Sequence, residues 1–592
     1  MRRIMCATLL AGTITSIAVA QQDTSRAYIV RNVQVIAMTG SESPRTADVV
    51  IRGRTIVQIA RAGSAAAPSA TIIEGRGQYL IPGLIDSHVH IKEQDPLFLF
   101  VAGGVTTAQN MSGRPFHLDM RARVNAGSLL GPRIITAGPT TAEAGVNTPE
   151  EAERLVAEQS ARGYDVIKMY GGQGGNFTPE TYHALITAAH ARGMRVVGHA
   201  PRNLPFDVVL SEGQNSIDHM EEIVYTHRPF ARLIGPYIDL QFGRSSDAMR
   251  DSLGRVPVPD VDKALQPEIA ELARAVKKAG LAMTPNLVFF RNIYWMTTDS
   301  IQALLRAPEL AYASPQQRLS WSPLLNRYAN AWSNRQPTVS RWLGEAYDLE
   351  RATTLAFYKA GVPLMAGTDA EFLGAQPGFG LHTELEIFVG LGMKPIDALR
   401  AATVTAAGVL RIADSVGTIA PGKVADLVLL AANPLADIRN TRRISGVFRA
   451  GRWLPQTEIA AMLDSLARSY GPVQEALSAF MQALEARGAA AAMDVYHQRP
   501  AEEQRQIAKP VENVINSYGY RVLGEKRTKD AIAIFLLNTQ SFPDQYNTWD
   551  SLAEAYLADG QRDLAIKYYQ KVLELHPGDE NATRMLKQIG AP

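Results

Sequence analysis

The segment Leu84-Ile85-Asp86-Ser87-His88-Val89-His90 decides the fold that we expect for this chain of 592 residues. It continues an apolar run that starts at Tyr79, as a buried β-strand does. Side chains alternate along a strand, so His88 and His90 are predicted to lie on the same side. A rigid, buried strand that ends in two such histidines is well suited to binding a metal ion.

Strand-like and helical patterns alternate along the chain from this segment onward. The sequence predicts eight strands, at 83–90, 105–111, 133–137, 166–170, 195–199, 216–220, 281–288 and 363–369. Amphipathic helices are predicted between them at 149–162, 179–192, 261–279 and 345–360, and a glycine follows each of these helices. Eight alternating units predict an α/β fold, a (β/α)8 TIM barrel over residues 81–411. The alternative is an open doubly wound sheet, but the G-x-G-x-x-G motif typical of that fold does not follow the first strand.

Two β-rich segments flank the predicted barrel, one at 27–80 and one at 412–456. Short β-branched runs separated by Gly, Pro and Ser predict strands in both, and we expect them to form one small flanking β-sandwich domain. The insert at 289–345 is too long for an ordinary βα connection. It predicts either an extra helical layer or a lid over the mouth of the barrel.

The chain ends in a predicted C-terminal α-helical repeat domain, residues 457–592. A period of 34 residues relates 512–545 to 546–579, and the second unit follows the tetratricopeptide pattern of large and small residues. Repeats of this kind bind peptides in some proteins. In a tail of two units, simple packing or self-association into a homo-oligomer is the alternative.

Residues 1–20 have the pattern of a secretory signal peptide, with two arginines, an apolar run and Ala18-Val19-Ala20. We therefore expect a secreted or periplasmic protein. The only cysteine, Cys6, lies in this segment, so the mature chain has no thiolate for a disulfide, a nucleophile or a zinc ligand. Basic and acidic residues then balance at 58 each, which gives no indication of a nucleic-acid partner. No later apolar run is long enough for a membrane span.

Four further polar residues end predicted strands of the barrel. They are Lys168 on the fourth strand, His199 on the fifth, His219 on the sixth and Asp369 on the eighth. In a β/α barrel the carboxyl ends of all strands face the same side, where active sites lie. We therefore expect these four residues to meet His88 and His90 in one metal site.

Lys168 is the unusual member of this set, because an ammonium group repels a metal cation. Burial lowers the pKa of a lysine, and the neutral amine can add carbon dioxide to form a carbamate. The two oxygens of a carbamate can bridge two metal ions, and two divalent ions close together can generate hydroxide at neutral pH. The sequence thus predicts two divalent metal ions, with carboxylated Lys168 as the bridging ligand.

The order H-x-H, K, H, H, D over eight strands resembles the metal-dependent amidohydrolase superfamily, with a match from about residue 27 to 456. The segment Asp165-Val166-Ile167-Lys168-Met169-Tyr170 is similar to the imidazolonepropionase-like group of that superfamily, which includes Xaa-Pro dipeptidases. The other matching stretches are 103–107, 131–133, 401–403, 417–423 with 425–427, and 433–435.

The resemblance implies a role for each of the six residues. Two ligand groups are implied, one of His88, His90 and Asp369, the other of His199 and His219, with carboxylated Lys168 and a hydroxide between them. Asp369 would also move a proton from the hydroxide to the leaving amine, and the second ion would polarise the substrate carbonyl. Zinc is the expected metal because it accepts mixed histidine and carboxylate ligands.

The resemblance further implies a hydrolase that cleaves an amide bond in a small substrate, such as a dipeptide of the Xaa-Pro type or an N-acyl amino acid. Tyr225 and His227, just after the sixth strand, and His382, after the eighth, are the candidate substrate contacts. Related dipeptidases often carry Gly-Gly-His after the third strand, whereas residues 138–145 of this chain contain no histidine. The alternatives are a metal-dependent lactonase, esterase, cyclic amidase or deaminase, and a non-catalytic interaction protein that acts through its tetratricopeptide tail.

Overall fold

The computed structural model describes residues 26–40, 43–93, 96–170, 177–241, 260–322, 324–325, 337–370 and 374–590. The predicted signal peptide, residues 1–20, lies outside these ranges, and so does part of the 289–345 insert. Among the described residues, no helix is both long enough and apolar enough to cross a membrane.

The strands of the described residues are numbered in chain order. They are β1 Ala27–Val35, β2 Arg45–Arg52, β3 Thr55–Arg61, β4 Thr71–Glu74, β5 Tyr79–Pro82, β6 Leu84–Val89, β7 Val105–Asn110, β8 Arg133–Thr136, β9 Val166–Met169, β10 Arg195–Gly198, β11 Ser216–Asp218, β12 Ala282–Thr284, β13 Leu427–Leu430, β14 Ile444–Arg449 and β15 Arg452–Pro455.

The helices up to the end of the barrel are Phe98–Ala102, Pro115–Ala126, Pro149–Arg162, Pro179–Ala191, Phe206–Glu212, Glu221–Thr226, Arg228–Gln241, Val261–Ala264, Gln266–Ala279, Leu287–Trp295, Ile301–Leu305, Pro315–Ser320, Pro337–Ala360, Gly380–Gly390, Pro395–Ala401 and Val404–Val409. The C-terminal helices are Gln456–Arg487, Ala489–His497, Ala501–Gly524, Thr528–Ser541, Tyr546–Ala558, Arg562–Leu575 and Glu580–Gln588. Short 3-10 helices lie at Pro308–Tyr312 and Ile438–Arg442.

Local signals fix the ends of helix Pro149–Arg162. The Thr148 hydroxyl accepts the Glu151 N–H at 3.3 Å, and the Glu151 carboxylate accepts the Thr148 N–H at 3.1 Å, so both orphan donors are satisfied. The helix ends at Gly163, whose φ of 82° lies in the left-handed region that glycine adopts without strain. The predicted helix end at glycine is therefore confirmed here.

Strands β6 to β12 form the wall of a parallel barrel. Strands β6, β7 and β8 pair in parallel, a bridge between Ala137 and Val166 joins β8 to β9, and β9 pairs with β10. The Asn215 N–H donates to the Val196 carbonyl at 2.9 Å, which ties the start of β11 to β10, and β11 pairs with β12. Each pairing is between neighbours in the chain, as the predicted (β/α)8 barrel requires.

The eighth position of the barrel is less regular than the sequence predicts. Instead of a strand over 363–369, the chain makes only isolated bridges, from Leu364 to Met283 and from Ala370 to Val89. The wall still closes, because the Ala366 carbonyl accepts the N–H of Ser87 at 3.0 Å. The segment therefore occupies the eighth position of the barrel without forming a regular strand.

The seventh strand is shorter than predicted, and the end expected at 288 is wrong. The strand stops at Thr284, and helix Leu287–Trp295 begins directly after it. Asn286 turns the chain with a φ of 54°, and the Glu384 carboxylate accepts the N–H groups of Leu287 and Val288 at 3.0 and 2.7 Å. This cap satisfies the first two N–H donors of the helix. The segment is apolar, and apolar composition alone does not distinguish a buried helix from a buried strand.

The two β-rich segments that flank the barrel form one hydrogen-bonded sheet, in the order β15-β14-β13-β5-β1-β2-β3, with β4 beside β1. The junction is the antiparallel pair β5 and β13, in which Leu427 faces Pro82. Side chains from both segments share one core, for example Val33, Leu80 and Phe448. The expected union of distant segments is thus present in the structure.

The C-terminal helices repeat at the predicted interval. Helix starts are 34 positions apart, from 528 to 562 and from 546 to 580. Gly519 is small because a Cβ there would lie 2.5 Å from the Phe535 ring of the next helix. The described part of the insert packs as an extra helical layer, with Leu319 and Leu324 in one core with Phe480 of the C-terminal domain.

Candidate metal centre

Backbone hydrogen bonds bring His88 and Asp369 together at the carboxyl end of the barrel. The His88 carbonyl accepts the Asp369 N–H at 2.9 Å. Asp369 has a φ of 54° and His219 a φ of 69°, a conformation that costs a non-glycine residue free energy and is concentrated at functional sites. The chain therefore turns sharply where the predicted ligands leave the strands.

His88, His90 and Asp369 form a tight group that we call the first cluster. The Nε2 atoms of His88 and His90 are 3.3 Å apart. Asp369 Oδ1 lies 3.4 Å from the Nε2 atom of His88 and 3.1 Å from the Nε2 atom of His90. Zinc–nitrogen bonds of about 2.0–2.1 Å place tetrahedral ligands about 3.3 Å apart. The donor atoms thus have the spacing that a single metal ion requires.

The ionisation of the first cluster also suits a cation. Burial, together with the nearby Lys168, lowers the pKa of His88 to about 4, so the ring is neutral at neutral pH. Burial by itself would raise the pKa of Asp369, but His88 and His90 outweigh it and keep the carboxyl ionised. Neutral imidazoles and an anionic carboxylate are the forms that bind metals.

Lys168, His199 and His219 form a second, looser group beside the first, which we call the second cluster. The His219 ring lies 4.6 Å from the His88 ring and 4.8 Å from the His199 ring, centroid to centroid. Lys168 is 2% exposed, and its Nζ lies 3.6 Å from Asp218 Oδ2. All six predicted ligands therefore meet at one end of the barrel, as the sequence predicts.

Lys168 sits in an environment that favours its neutral amine. Burial lowers the pKa of this lysine, although Asp218 and Asp369 act in the opposite direction. Burial likewise lowers the pKa of His199 and of His219. The direction agrees with the condition for carboxylation, which itself stays a prediction.

Gly198 makes room for the lysine side chain. A Cβ at this position would lie 2.4 Å from Lys168 Cδ and 2.6 Å from the Met169 carbonyl oxygen, and Gly198 has a φ of 109°. Both the space and the backbone conformation exclude a larger residue. The residue before His199 therefore fixes the path of Lys168.

Three carboxylates behind the predicted ligands escaped the sequence analysis. Asp218 Oδ2 lies 3.2 Å from His88 Nδ1, and Glu222 Oε1 lies 2.7 Å from His199 Nδ1. Asp86 accepts the N–H of His88 at 3.3 Å, and burial raises its pKa to about 7. Asp218 and Glu222 face ring nitrogens, and partners of that kind orient the ring of a metal ligand and select its tautomer, whereas Asp86 contacts the backbone of His88.

Glu222 is also held by an arginine. Arg202 Nε donates to both carboxylate oxygens of Glu222, at 3.1 and 3.2 Å, and Arg202 Nη2 donates to Glu221 at 3.0 Å. His199, Glu221 and Glu222 could geometrically hold an ion of their own. The guanidinium already neutralises both carboxylates, which argues against a cation at that position.

The candidate substrate contacts lie in three different environments. The Tyr225 ring packs under the Arg202 guanidinium, with 3.9 Å from Cζ to the ring centroid. His227 packs against Phe230, with ring centroids 4.9 Å apart. His382 is 1% exposed, and its Nδ1 lies 2.9 Å from the Thr441 hydroxyl oxygen. His382 therefore has a buried hydrogen-bond partner, and the three substrate contacts stay predictions.

Comparisons with known proteins agree with this architecture. The model of the amidohydrolase family matches residues 99–454, and a tetratricopeptide-repeat model matches residues 547–589. Imidazolonepropionase from Sphingopyxis alaskensis is 24% identical over 410 residues, which are 67% of this chain and 90% of that protein.

Two further proteins are similar over different extents. Adenine deaminase from Rubrobacter xylanophilus is 27% identical over 206 residues, which are 31% of this chain and only 33% of that protein. The crystal structure of a putative prolidase from Bifidobacterium longum is 20% identical, with a TM-score of 0.52 over 75% of this chain and 99% of that one. The likeness to the prolidase structure concerns the fold.

Proposed function

This chain belongs to the amidohydrolase family, and on that premise we propose that it is a two-metal hydrolase of a small amide. The substrate that we propose is a dipeptide of the Xaa-Pro type or an N-acyl amino acid. The observation that carries the proposal is the first cluster, whose three donor atoms lie 3.1 to 3.4 Å apart beside the buried Lys168. The hydrolytic action on a carbon–nitrogen bond follows from the family.

The residues present fit two divalent ions. The first cluster would hold one ion and the second cluster the other, with carboxylated Lys168 as the shared ligand. When bound, the ions would supply water deprotonated at neutral pH and a polarised substrate carbonyl. Histidine nitrogens and carboxylate oxygens suit zinc, so zinc is the ion that we propose.

Asp369 is the residue that we assign to proton transfer. Its Oδ1 faces the histidines of the first cluster, and its carboxyl is ionised at neutral pH, so it can accept a proton from the attacking water. The water oxygen adds to the carbonyl carbon, and the carbon–nitrogen bond breaks. Asp369 then passes the proton to the leaving amine nitrogen, which leaves a carboxylic acid and an amine as products.

A second class of substrate is favoured by the curated relatives. Similarity to an imidazolonepropionase and an adenine deaminase supports testing cyclic amides and deamination beside linear amides. A lactonase or esterase would use the same metal centre. The geometry of the centre is compatible with each of these reactions, so substrate assays decide between them.

The test is an assay of the purified, zinc-loaded protein on three groups of compounds. Xaa-Pro dipeptides and N-acyl amino acids form the first, cyclic amides and adenine the second, and lactones and esters the third. The proposal expects the highest kcat/KM in the first group. Turnover confined to the second or third group would overturn the proposed substrate but keep the metal centre.

The C-terminal repeat domain also has a proposed role. We propose that the repeat domain contacts another protein or a second copy of this chain, because a tetratricopeptide model matches it. The alternative of a purely non-catalytic interaction protein is disfavoured by the complete set of six suitable residues.

Secretion or export to the periplasm is proposed from the signal pattern at 1–20, and mass spectrometry of the exported protein would show cleavage after Ala20.

A further inference from the structure

We propose that Arg202 and Glu222 act together as a positioning pair for His199, and that this pair sets how tightly the second cluster binds its metal ion. The inference rests on the proposed two-metal function and adds to it a residue pair that the family resemblance did not supply. Neither residue is a predicted ligand. Their effect on the metal would pass through the imidazole ring of His199.

The pair is buried and closely connected to the ring. Glu222 is fully buried, and its Oε1 lies 2.7 Å from His199 Nδ1. Arg202 donates to the same carboxylate through Nε, at 3.1 and 3.2 Å, and again through Nη2. The three residues thus form one chain of charge-assisted hydrogen bonds, from guanidinium to carboxylate to imidazole.

This arrangement fixes the tautomer of His199. Arg202 Nε and Nη2 both donate to the side-chain oxygens of Glu222, so this carboxylate is the anionic partner of a guanidinium. An ionised carboxylate only accepts hydrogen bonds, so His199 Nδ1 must carry the proton. The other ring nitrogen, Nε2, is then left with its lone pair, which is the form that binds a metal.

The shape of the arginine side chain matters as well as its charge. The planar guanidinium reaches both oxygens of Glu222 and one oxygen of Glu221 at 3.0 Å. Tyr225 packs on its flat face, with 3.9 Å from Cζ to the ring centroid. A lysine could not make these forked contacts, because its ammonium is a point charge without a plane. Tyr225 is therefore a support for Arg202 in this arrangement.

The experiment measures metal release from the cobalt-loaded protein. The double variant Arg202→Met/Glu222→Gln removes both charges of this ion pair together, and Glu221 loses its contact with Arg202. Outer partners of metal-binding histidines typically contribute about 10–100-fold to metal affinity. We expect one of the two Co²⁺ ions to leave about 10–100-fold faster to a chelator, while the other leaves at the parental rate. The visible absorption of Co²⁺ should change at the same time.

A matched control is the pair Arg442 and Glu386, an arginine–glutamate contact of 2.7 Å outside the two clusters. The variant Arg442→Met/Glu386→Gln should release both ions at the parental rate. Arg202→Lys, which keeps the charge and loses the fork, should fall between the parent and the double variant. If the double variant does not fold, as judged by circular dichroism, the same release measurement on Arg202→Lys decides the question.

The outcomes separate this inference from the proposed function. A parent that binds two ions, with equal release in the Arg202 and Arg442 variants, would overturn the positioning role alone. A parent that binds fewer than two ions would overturn the two-metal function and the inference together. Acceleration of both ions to the same extent would also count against the inference, because it would show a general loosening of the site.

Discussion

The two clusters at the barrel mouth are built in different ways. In the first cluster, the donor atoms of His88, His90 and Asp369 already lie 3.1 to 3.4 Å apart. In the second cluster, the rings of His199 and His219 are 4.8 Å apart, and Lys168 Nζ lies near Asp218 instead. The donor atoms of the first cluster are close together without any added group, whereas the second cluster depends on whether its lysine is carboxylated.

The difference has a chemical reason. Two histidines at positions i and i+2 of one buried strand are aligned by the alternation of side chains, and the Asp369 N–H is bonded to the His88 carbonyl at 2.9 Å. The second cluster joins three separate strands, and its only potential anionic ligand would be made by adding carbon dioxide to Lys168.

The largest effect is expected for Lys168→Ala, which removes the lysine of the second cluster. Without the shared ligand, the second cluster should lose its ion, and kcat/KM should fall by more than about 10⁴-fold, or more than about 5 kcal/mol in transition-state stabilisation. The first cluster should keep its ion. Metal analysis and steady-state kinetics check both points, and a short carboxylic acid with added zinc should restore part of the activity. Full activity in this variant would refute the bridging role.

Asp369→Asn tests the proton transfer that we assign to the first cluster. The amide is close in shape to the carboxylate, so the fold should be kept, but it cannot accept the proton of the attacking water. Loss of general acid–base transfer costs about 10²–10⁴-fold, and we expect kcat to fall in this range. Circular dichroism and kinetics are the measurements. An unchanged kcat would remove Asp369 from proton transfer.

Gly198→Ala asks whether the second cluster needs space for its lysine. The new Cβ would lie 2.4 Å from Lys168 Cδ at a φ of 109°, and we expect a loss of about 1–3 kcal/mol in unfolding free energy together with a lower metal content. The control is Gly193→Ala, where φ is 70° and no atom lies within 4 Å. The control should lose about 1–2 kcal/mol because of its left-handed backbone but keep its metal, as urea unfolding and metal analysis can show. Equal effects would contradict a specific role for Gly198.

Glu384→Gln tests a residue that caps the helix beside His219, and we expect it to change how the free energy of unfolding depends on pH. Glu384 caps the helix whose Phe289 ring lies 5.9 Å from the His219 ring, and burial raises its pKa from the ordinary 4.5 to about 8. The folded protein therefore binds one proton more than the unfolded chain between these pH values, and stability falls as the pH rises through this window.

The contribution of one such proton is at most about 1.4 kcal/mol per pH unit. Urea unfolding at several pH values should show a shallower decline for Glu384→Gln than for the parent between pH 4.5 and 8. Parallel curves for the two proteins would show that this carboxyl titrates normally.

The smallest effect on catalysis is expected for a substitution in the repeat domain, outside both clusters. Gly519→Leu places a side chain where a Cβ already lies 2.5 Å from the Phe535 ring, so it should destabilise the repeat domain by about 1–3 kcal/mol. Limited proteolysis should then cut the tail faster. The value of kcat/KM should stay at the parental level, as in the control Gly524→Ala, where nothing lies within 4 Å of the new Cβ. A large loss of activity would show that the tail supports the metal centre.

Much of the centre could be predicted because its ligands follow regular patterns. His88 and His90 obey the two-residue period of a strand, and Lys168 and His199 come at the ends of apolar strands. The rule that all strand ends of a barrel share one face then brings them together. The sequence pattern was less informative where the chain leaves regular geometry.

Asp218 is the clearest example of that limit. Alternation along a strand predicts that Asp218 and His219 point to opposite sides, but His219 has a φ of 69°, which breaks the alternation and lets both residues face the centre. Glu222 contacts His199, which lies 23 residues earlier in the chain, so no local spacing marks the two as partners. The irregular eighth position and the helix after β12 escaped prediction because tertiary caps, not local preference, determine them.

The two-metal centre is tested by metal analysis of the purified protein, combined with activity on an amide substrate before and after chelation. We expect two divalent ions per active chain, loss of activity on their removal, and recovery when zinc and carbon dioxide are returned. A preparation that is free of bound ions and fully active would contradict this expectation.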